Sequence, residues 1–349
     1  MQSINFTHLK KSAALGVALF VAGTSVAKAD LNVAVSIKPI HSLVASVMEG
    51  ISTPDLIVEA GSPHTYSLKP SQAKQLEEAD VVFWVAHDIE PFLEKPLESI
   101  ATNAKSVELA NTHGLIKLTF REGVAFDSHG HDAHGHAEHA KEEHDGHGHD
   151  AHEKEGHDAH GHAGHAKEEH DDHGHGEYDP HIWLDPVNAK VMVHKIEETL
   201  VELDPVNASK YKANADNLSA ELDLLTAQVG SELEAVKGKG FVVFHDAYHY
   251  FENRFGVTAV GSITVSPEVL PGAARVKELR AKVKASNAMC VFSEPQFEPK
   301  LVATIIEKTN VGSSVLDPLG ATIDAGPKLY FKLIRNMGTS LKECLLKES

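Results

Sequence analysis

Between Asp127 and Glu177 the chain loses the means to build a core, and that interruption constrains everything around it. The segment holds 16 histidines, 15 acidic residues and three lysines, and nothing more apolar than alanine. Asp132–His149 nearly repeats as Asp158–His175, a period of 26 residues with two of 18 positions changed. With no apolar surface to bury, such a stretch cannot offset the entropy of ordering its backbone, so it reads as a disordered loop. The fold must come from the two flanks. Of the formal net charge of −18, −12 lies in this segment and −6 in the remainder. That balance argues against nucleic acid, whose phosphates need clustered Lys and Arg.

Both flanks alternate short apolar runs with amphipathic stretches, the pattern of βα units. Strands are expected at residues 31–36, 56–59 and 81–85, with weaker pieces at 107–109 and 116–120. Helices are expected at 40–48 and from an N-capping Ser71 to Glu78. After the loop, 186–203 has helical spacing, and Pro205 sits in the first turn of a long helix reaching Val236. The alternation then resumes, with strands at 241–244, 259–263, 289–292 and 314–316. Helices lie between and after them at 247–255, 272–284, 299–309 and 328–344. The expected fold is α/β: two βα lobes with central sheets, joined by a long rigid helix, with a ligand in the cleft outside the carboxyl ends of the strands. The corresponding division is 30–186 for the N-terminal lobe, 187–237 for the linking helical segment and 238–349 for the C-terminal lobe.

Residues 1–29 read as a secretory signal. Lys10 and Lys11 close a basic start, 13–24 is apolar or small, and Ala27-Lys28-Ala29 is an A-x-A cleavage signature, so the mature chain would begin at Asp30. The apolar run falls short of the ~20 residues that a transmembrane helix needs. In an oxidising compartment the two cysteines, Cys290 and Cys344, would pair and tie the last helix to a strand; a thiolate metal site is the alternative, without a C-x-x-C neighbour to support it.

Imidazole is the favoured neutral nitrogen ligand for Zn²⁺. Outside the loop, His64 follows a strand in Gly61-Ser62-Pro63-His64, His181 lies in Asp179-Pro180-His181-Ile182-Trp183, and His245 ends the run Phe241–Phe244. Each occupies a stiff turn or strand end suited to a pre-organised ligand. His245 and His249 are four apart, as on one helical face, and His-Asp-Ala-Tyr-His resembles the zinc-protease motif with Asp for Glu. His41 and His87 read as structural, His113 and His194 as surface residues. Asp317 ends a strand and offers a fourth ligand, an acceptor orienting an imidazole, or an Asx-turn cap; Glu294 reads as an orienting acceptor. Sixteen loop imidazoles would collect zinc weakly: His129, His131, His134, His136, His139, His144, His147, His149, His152, His157, His160, His162, His165, His170, His173 and His175.

The strings Ser62–Ser71, Asp179–Leu184, Phe244–Tyr248, Glu294–Phe297 and Asp317–Gly320 resemble, in order and spacing, the metal-specific periplasmic solute-binding proteins of ABC-type importers, and most closely their zinc-binding type. The resemblance implies His64 and His181 as ligands from the N-terminal lobe and His245 from the C-terminal lobe. Asp317 matches a carboxylate ligand of manganese-type relatives. A His-rich insertion and a C-terminal-lobe disulfide are typical of the zinc type. Pro63 departs from members that carry Glu just before the first histidine, which leaves the fourth position to water or Asp317. The resemblance further implies a monomer serving a membrane permease with its cytoplasmic ATPase, with an auxiliary periplasmic zinc chaperone as a further partner. The rival readings are a manganese- or iron-type binding protein, a zinc metallohydrolase with an open coordination position, and a surface adhesin.

Overall fold

Eight β-strands form two four-stranded sheets in the computed structural model, which describes residues 31–121, 177–264, 272–285, 288–297 and 300–347. The expected signal segment and all sixteen loop histidines lie outside these residues. The first sheet contains β1 (Val33–Ile37), β2 (Asp55–Val58), β3 (Val81–Trp84) and β4 (Lys105–Glu108). The second contains β5 (Gly240–His245), β6 (Thr258–Thr264), β7 (Cys290–Ser293) and β8 (Gly312–Val315). All pairings are parallel, in the orders β2-β1-β3-β4 and β6-β5-β7-β8. Parallel sheets are covered on both faces, which explains why β3 is an unbroken apolar run and β1 is apolar but for Ser36, both buried along their whole length.

The strand order creates the cleft. In each sheet the chain steps from the central strand outward to one neighbour, then returns across it to the other side. The strand ends at that reversal, β1 with β3 and β5 with β7, splay their following loops apart and leave a crevice.

Nine helices surround the sheets among the described residues: α1 (Lys38–Val47), α2 (Pro70–Glu77), α3 (Glu94–Ser99), α4 (Pro186–Leu203), α5 (Ala208–Leu233), α6 (His249–Phe255), α7 (Ala273–Ala285), α8 (Lys300–Ile306) and α9 (Leu329–Leu346). The spine is α5, extended by short 3₁₀ turns at Pro205–Asn207 and Glu234–Val236. Its buried residues Tyr211, Ala215, Leu218, Leu222, Leu225, Val229 and Leu233 recur every three or four positions, a single apolar stripe. That stripe packs on α1, α4 and α9, joining both halves into one hydrophobic core. A second, smaller core of Val242, Phe244, Ile263, Leu279, Val291 and Ile305 lies beneath α7 and α8. Cys290 in β7 is bonded to Cys344 in α9, with Cα atoms 6.2 Å apart. No helix among the described residues is long and apolar enough to cross a membrane.

Three local expectations change. The cap expected at Ser71 lies two residues earlier, at Lys69: Pro70 takes the first turn, where its missing N–H costs nothing, and the Lys69 amide donates to Gln72 Oε1 at 2.8 Å. Residues 116–120 form no strand, only an isolated antiparallel bridge between Thr119 and Tyr178. The helix expected from Ala247 begins at His249, because the Ala247 amide turns back onto the His245 carbonyl at 2.9 Å. His245 therefore ends a strand while His249 opens a helix, and the chelating pair on one helical face does not form.

Candidate metal centre

The three histidines singled out from the sequence meet at the crevice. His245 is the last residue of β5, at the reversal point of the second sheet. His64 lies in a 3₁₀ turn, Pro63–Thr65, at the end of the loop leaving β2; Gly61, at φ +92°, makes the preceding bend. His181 precedes the 3₁₀ turn Ile182–Leu184, which leads into α4. Their ring centroids are 5.4–6.1 Å apart, and one potential ligand atom from each lies within 4.8 Å of the others. This is the one such group of three or more His, Cys, Asp or Glu among the described residues.

Each ring has its Nδ1 engaged from behind. His181 Nδ1 lies 2.7 Å from Asp179 Oδ1, which also accepts the His181 amide at 2.9 Å. His245 Nδ1 lies 2.6 Å from Glu294 Oε1, and His64 Nδ1 lies 3.2 Å from the Asp88 carbonyl oxygen. An oxygen acceptor at Nδ1 fixes the tautomer with the proton there and leaves Nε2 as the lone-pair donor. His245 Nε2 is buried without a hydrogen-bond partner, an arrangement that is costly unless something electrophilic sits there. Nitrogens 2.0–2.1 Å from a tetrahedral Zn²⁺ stand roughly 3.3 Å apart, so the observed spacing closes on an ion with inward shifts under about 1 Å.

The electrostatics fit a cation. Burial, reinforced by the neighbouring His181 and His245 rings, pushes His64 down to about 3, so it stays neutral and ligand-competent. For His245, burial works against the charge, but the carboxylates of Glu294, Asp246 and Asp179 together outweigh it and raise the ring above its ordinary value. Burial pushes Asp179 up to about 7. A dication held by the Nε2 atoms would draw on the negative charge of Asp179 and Glu294 through the rings they back.

The other candidates stand apart. Asp317 Oδ1 accepts the amides of Leu319 at 3.1 Å and Gly320 at 2.9 Å, the Asx-turn arrangement, and Asp317 is absent from the converging group. His41 Nε2 contacts the Pro54 carbonyl oxygen at 3.0 Å, His87 faces Glu94 at 3.4 Å, and His113 and His194 are exposed. Sequence reasoning assigned no role to Asp179 or Asp88. Asp179 had a readable cue, since an aspartate two residues before a histidine in a proline turn can accept from both that residue's amide and its ring. Asp88 acts through its backbone, which leaves no trace in residue type.

Residues 33–344 match the family described as ZnuA, zinc-uptake complex component A, periplasmic. The chain belongs to this family. The high-affinity zinc uptake system protein ZnuA of Brucella suis biovar 1 (strain 1330) is 54% identical over 326 residues, covering 93% of this chain and 95% of that one. A crystal structure of ZnuA overlays with a TM-score of 0.68 at 24% identity, covering 90% of this chain and 99% of the other. A ZnuA deletion mutant with zinc bound overlays at 0.67 and 23% identity, covering 92% and 100%. At those identities the structures establish the shared fold: two parallel-sheet α/β lobes and a long central helix.

Proposed function

We propose that this chain captures Zn²⁺ in the periplasm and hands it to the permease of an ABC-type importer, and that His64, His181 and His245 hold the ion through Nε2. The observation that carries this reading is the convergence of three imidazoles from three separate parts of the chain, each with Nδ1 backed by oxygen. All-nitrogen donation favours Zn²⁺ over Mn²⁺, since nitrogen ligands suit metals later in the affinity order. Asp317 uses Oδ1 in its own turn and, although its Oδ2 is left without a partner, it does not join the converging group, so water takes the fourth position. Binding rather than catalysis fits the surroundings: Asp179 and Glu294 each hold an imidazole, which leaves neither placed as a general base beside a metal-bound water.

In this reading the signal segment is removed after Ala29, the protein acts as a monomer, and 30–186 and 238–349 are the two metal-binding lobes around the linking segment 187–237. A membrane permease with its cytoplasmic ATPase receives the ion, and an auxiliary periplasmic zinc chaperone is a further partner. The histidines of 127–177 collect zinc weakly. Competitive titration tests this directly. The chain should bind one Zn²⁺ tightly and several loosely, and deletion of residues 127–177 should remove only the loose ions. Loss of the tight ion in that deletion, or its retention after His181→Ala, would defeat the assignment.

A further inference from the structure

Arg121 lies in the stretch that follows β4, and its guanidinium reaches across to the second half of the molecule. Nε donates to Asp246 Oδ2 at 3.1 Å and Nη2 makes a short contact with Asp246 Oδ1. Nη1 donates to Glu252 Oε2 at 2.8 Å and Nη2 to Glu252 Oε1 at 3.0 Å. The arginine side chain is 15% exposed and the two carboxylates 6% and 4%, so this is a buried bridge rather than a surface pair. Asp246 directly follows the ligand His245, and Glu252 lies in α6. The same stretch is fastened a second time: the Leu118 amide donates to the Tyr250 hydroxyl at 3.1 Å, and that hydroxyl donates to the Asp179 carbonyl oxygen at 2.8 Å. The Asp179 amide in turn donates to the Leu118 carbonyl at 2.8 Å. One continuous set of hydrogen bonds thus joins His245's neighbour, α6 and the backbone that carries Asp179 and His181.

We propose that Arg121 is a positioning residue that latches the two halves of the cleft together beside the ion and sets how slowly Zn²⁺ leaves. It touches neither the ion nor a ligand ring; it fixes the backbone on which His245 and His181 stand. The latch rests on the zinc-capture reading above. Removing one partner of a buried, hydrogen-bonded charge pair leaves an uncompensated charge and frees the backbone that the pair ties down.

The test uses the full mature chain loaded with Zn²⁺, with release followed by stopped-flow transfer to a fluorescent chelator. Arg121→Gln should release zinc faster by about tenfold or more, with the association rate close to that of the original chain. Because this change strands two buried carboxylates, a second variant combines Arg121→Gln with Asp246→Asn and Glu252→Gln, which leaves no unpaired charge. It should also release zinc fast, since the guanidinium fork is still missing, and it decides the matter if the single variant does not fold. Original-rate release from the triple variant would overturn the latch, because stray charge alone would then account for Arg121→Gln. An original chain that takes up no zinc tightly would overturn the capture reading, and the latch with it; tight capture with unchanged release in both variants overturns the latch alone.

Discussion

The two sheets share one strand order yet use their reversal points differently. In the first, β1 ends in Ile37 and the buried carboxylate of Glu90 fills the crevice. It accepts Ser36 Oγ at 2.5 Å and the amides of Val85 and Ala86 at 3.1–3.2 Å. In the second, β5 ends in His245 and the buried carboxylate is Glu294, which holds that imidazole. A carboxylate occupies both crevices. Where it meets only the chain's own hydroxyl and amides it serves as a plug; where the central strand ends in an imidazole, it becomes part of a cation site. Fold position supplies the crevice, and one residue at the strand end decides its use.

The contrast can be broken most severely at the ring itself. His245→Ala should weaken tight zinc binding by more than the roughly 100-fold that marks the upper end for orienting partners, read by competitive titration. Glu294→Gln keeps the shape but loses the charge behind His245, and should weaken binding about 10- to 100-fold. Glu90→Gln should cost less than about tenfold, because Glu90 acts one step further away, through the loop whose Asp88 carbonyl backs His64. An equal loss in the two glutamine variants would erase the distinction between plug and orienting partner.

The subtlest effects are in pH, and they run in opposite directions. Burial raises Glu90 from 4.5 to about 7, so its contribution to stability is complete below 4.5 and fades as pH rises through 7. Burial lowers His64 from 6.5 to about 3, so in zinc-free protein its contribution is complete above 6.5 and fades as pH falls through 3. Melting temperature against pH should lose the first slope in Glu90→Gln and the second in His64→Ala. A variant that retains its slope would mean another group carries it.

Much of the scaffold was legible because burial on both faces writes parallel strands as short apolar runs, as in 81–85 and 241–244, and because the α5 stripe keeps helical period over its length. The convergence of His64, His181 and His245 was foreshadowed because His245 closes an apolar strand and His64 and His181 lie in proline-containing turns. What holds them was harder. The Asp88 contribution is a carbonyl, and any residue there carries one. Arg121 borders the low-complexity segment, where a lone basic residue gives no hint of two carboxylates more than a hundred positions away. The start of α6 was misplaced because Asp246 is drawn toward Arg121 and Ala247 turns back on His245, tertiary ties that override local helical pattern.

The single core that runs through α1, α4, α5 and α9 bears on how cargo leaves. Wide separation of the halves would have to wet the Tyr211–Leu233 stripe, at an expense comparable to unfolding a good part of the protein. Unloading is therefore a matter of prying at the rim, by local shifts of the kind that the Arg121 fork resists, while the frame stays shut. A receiving membrane protein needs only to disturb a few atoms around the ion.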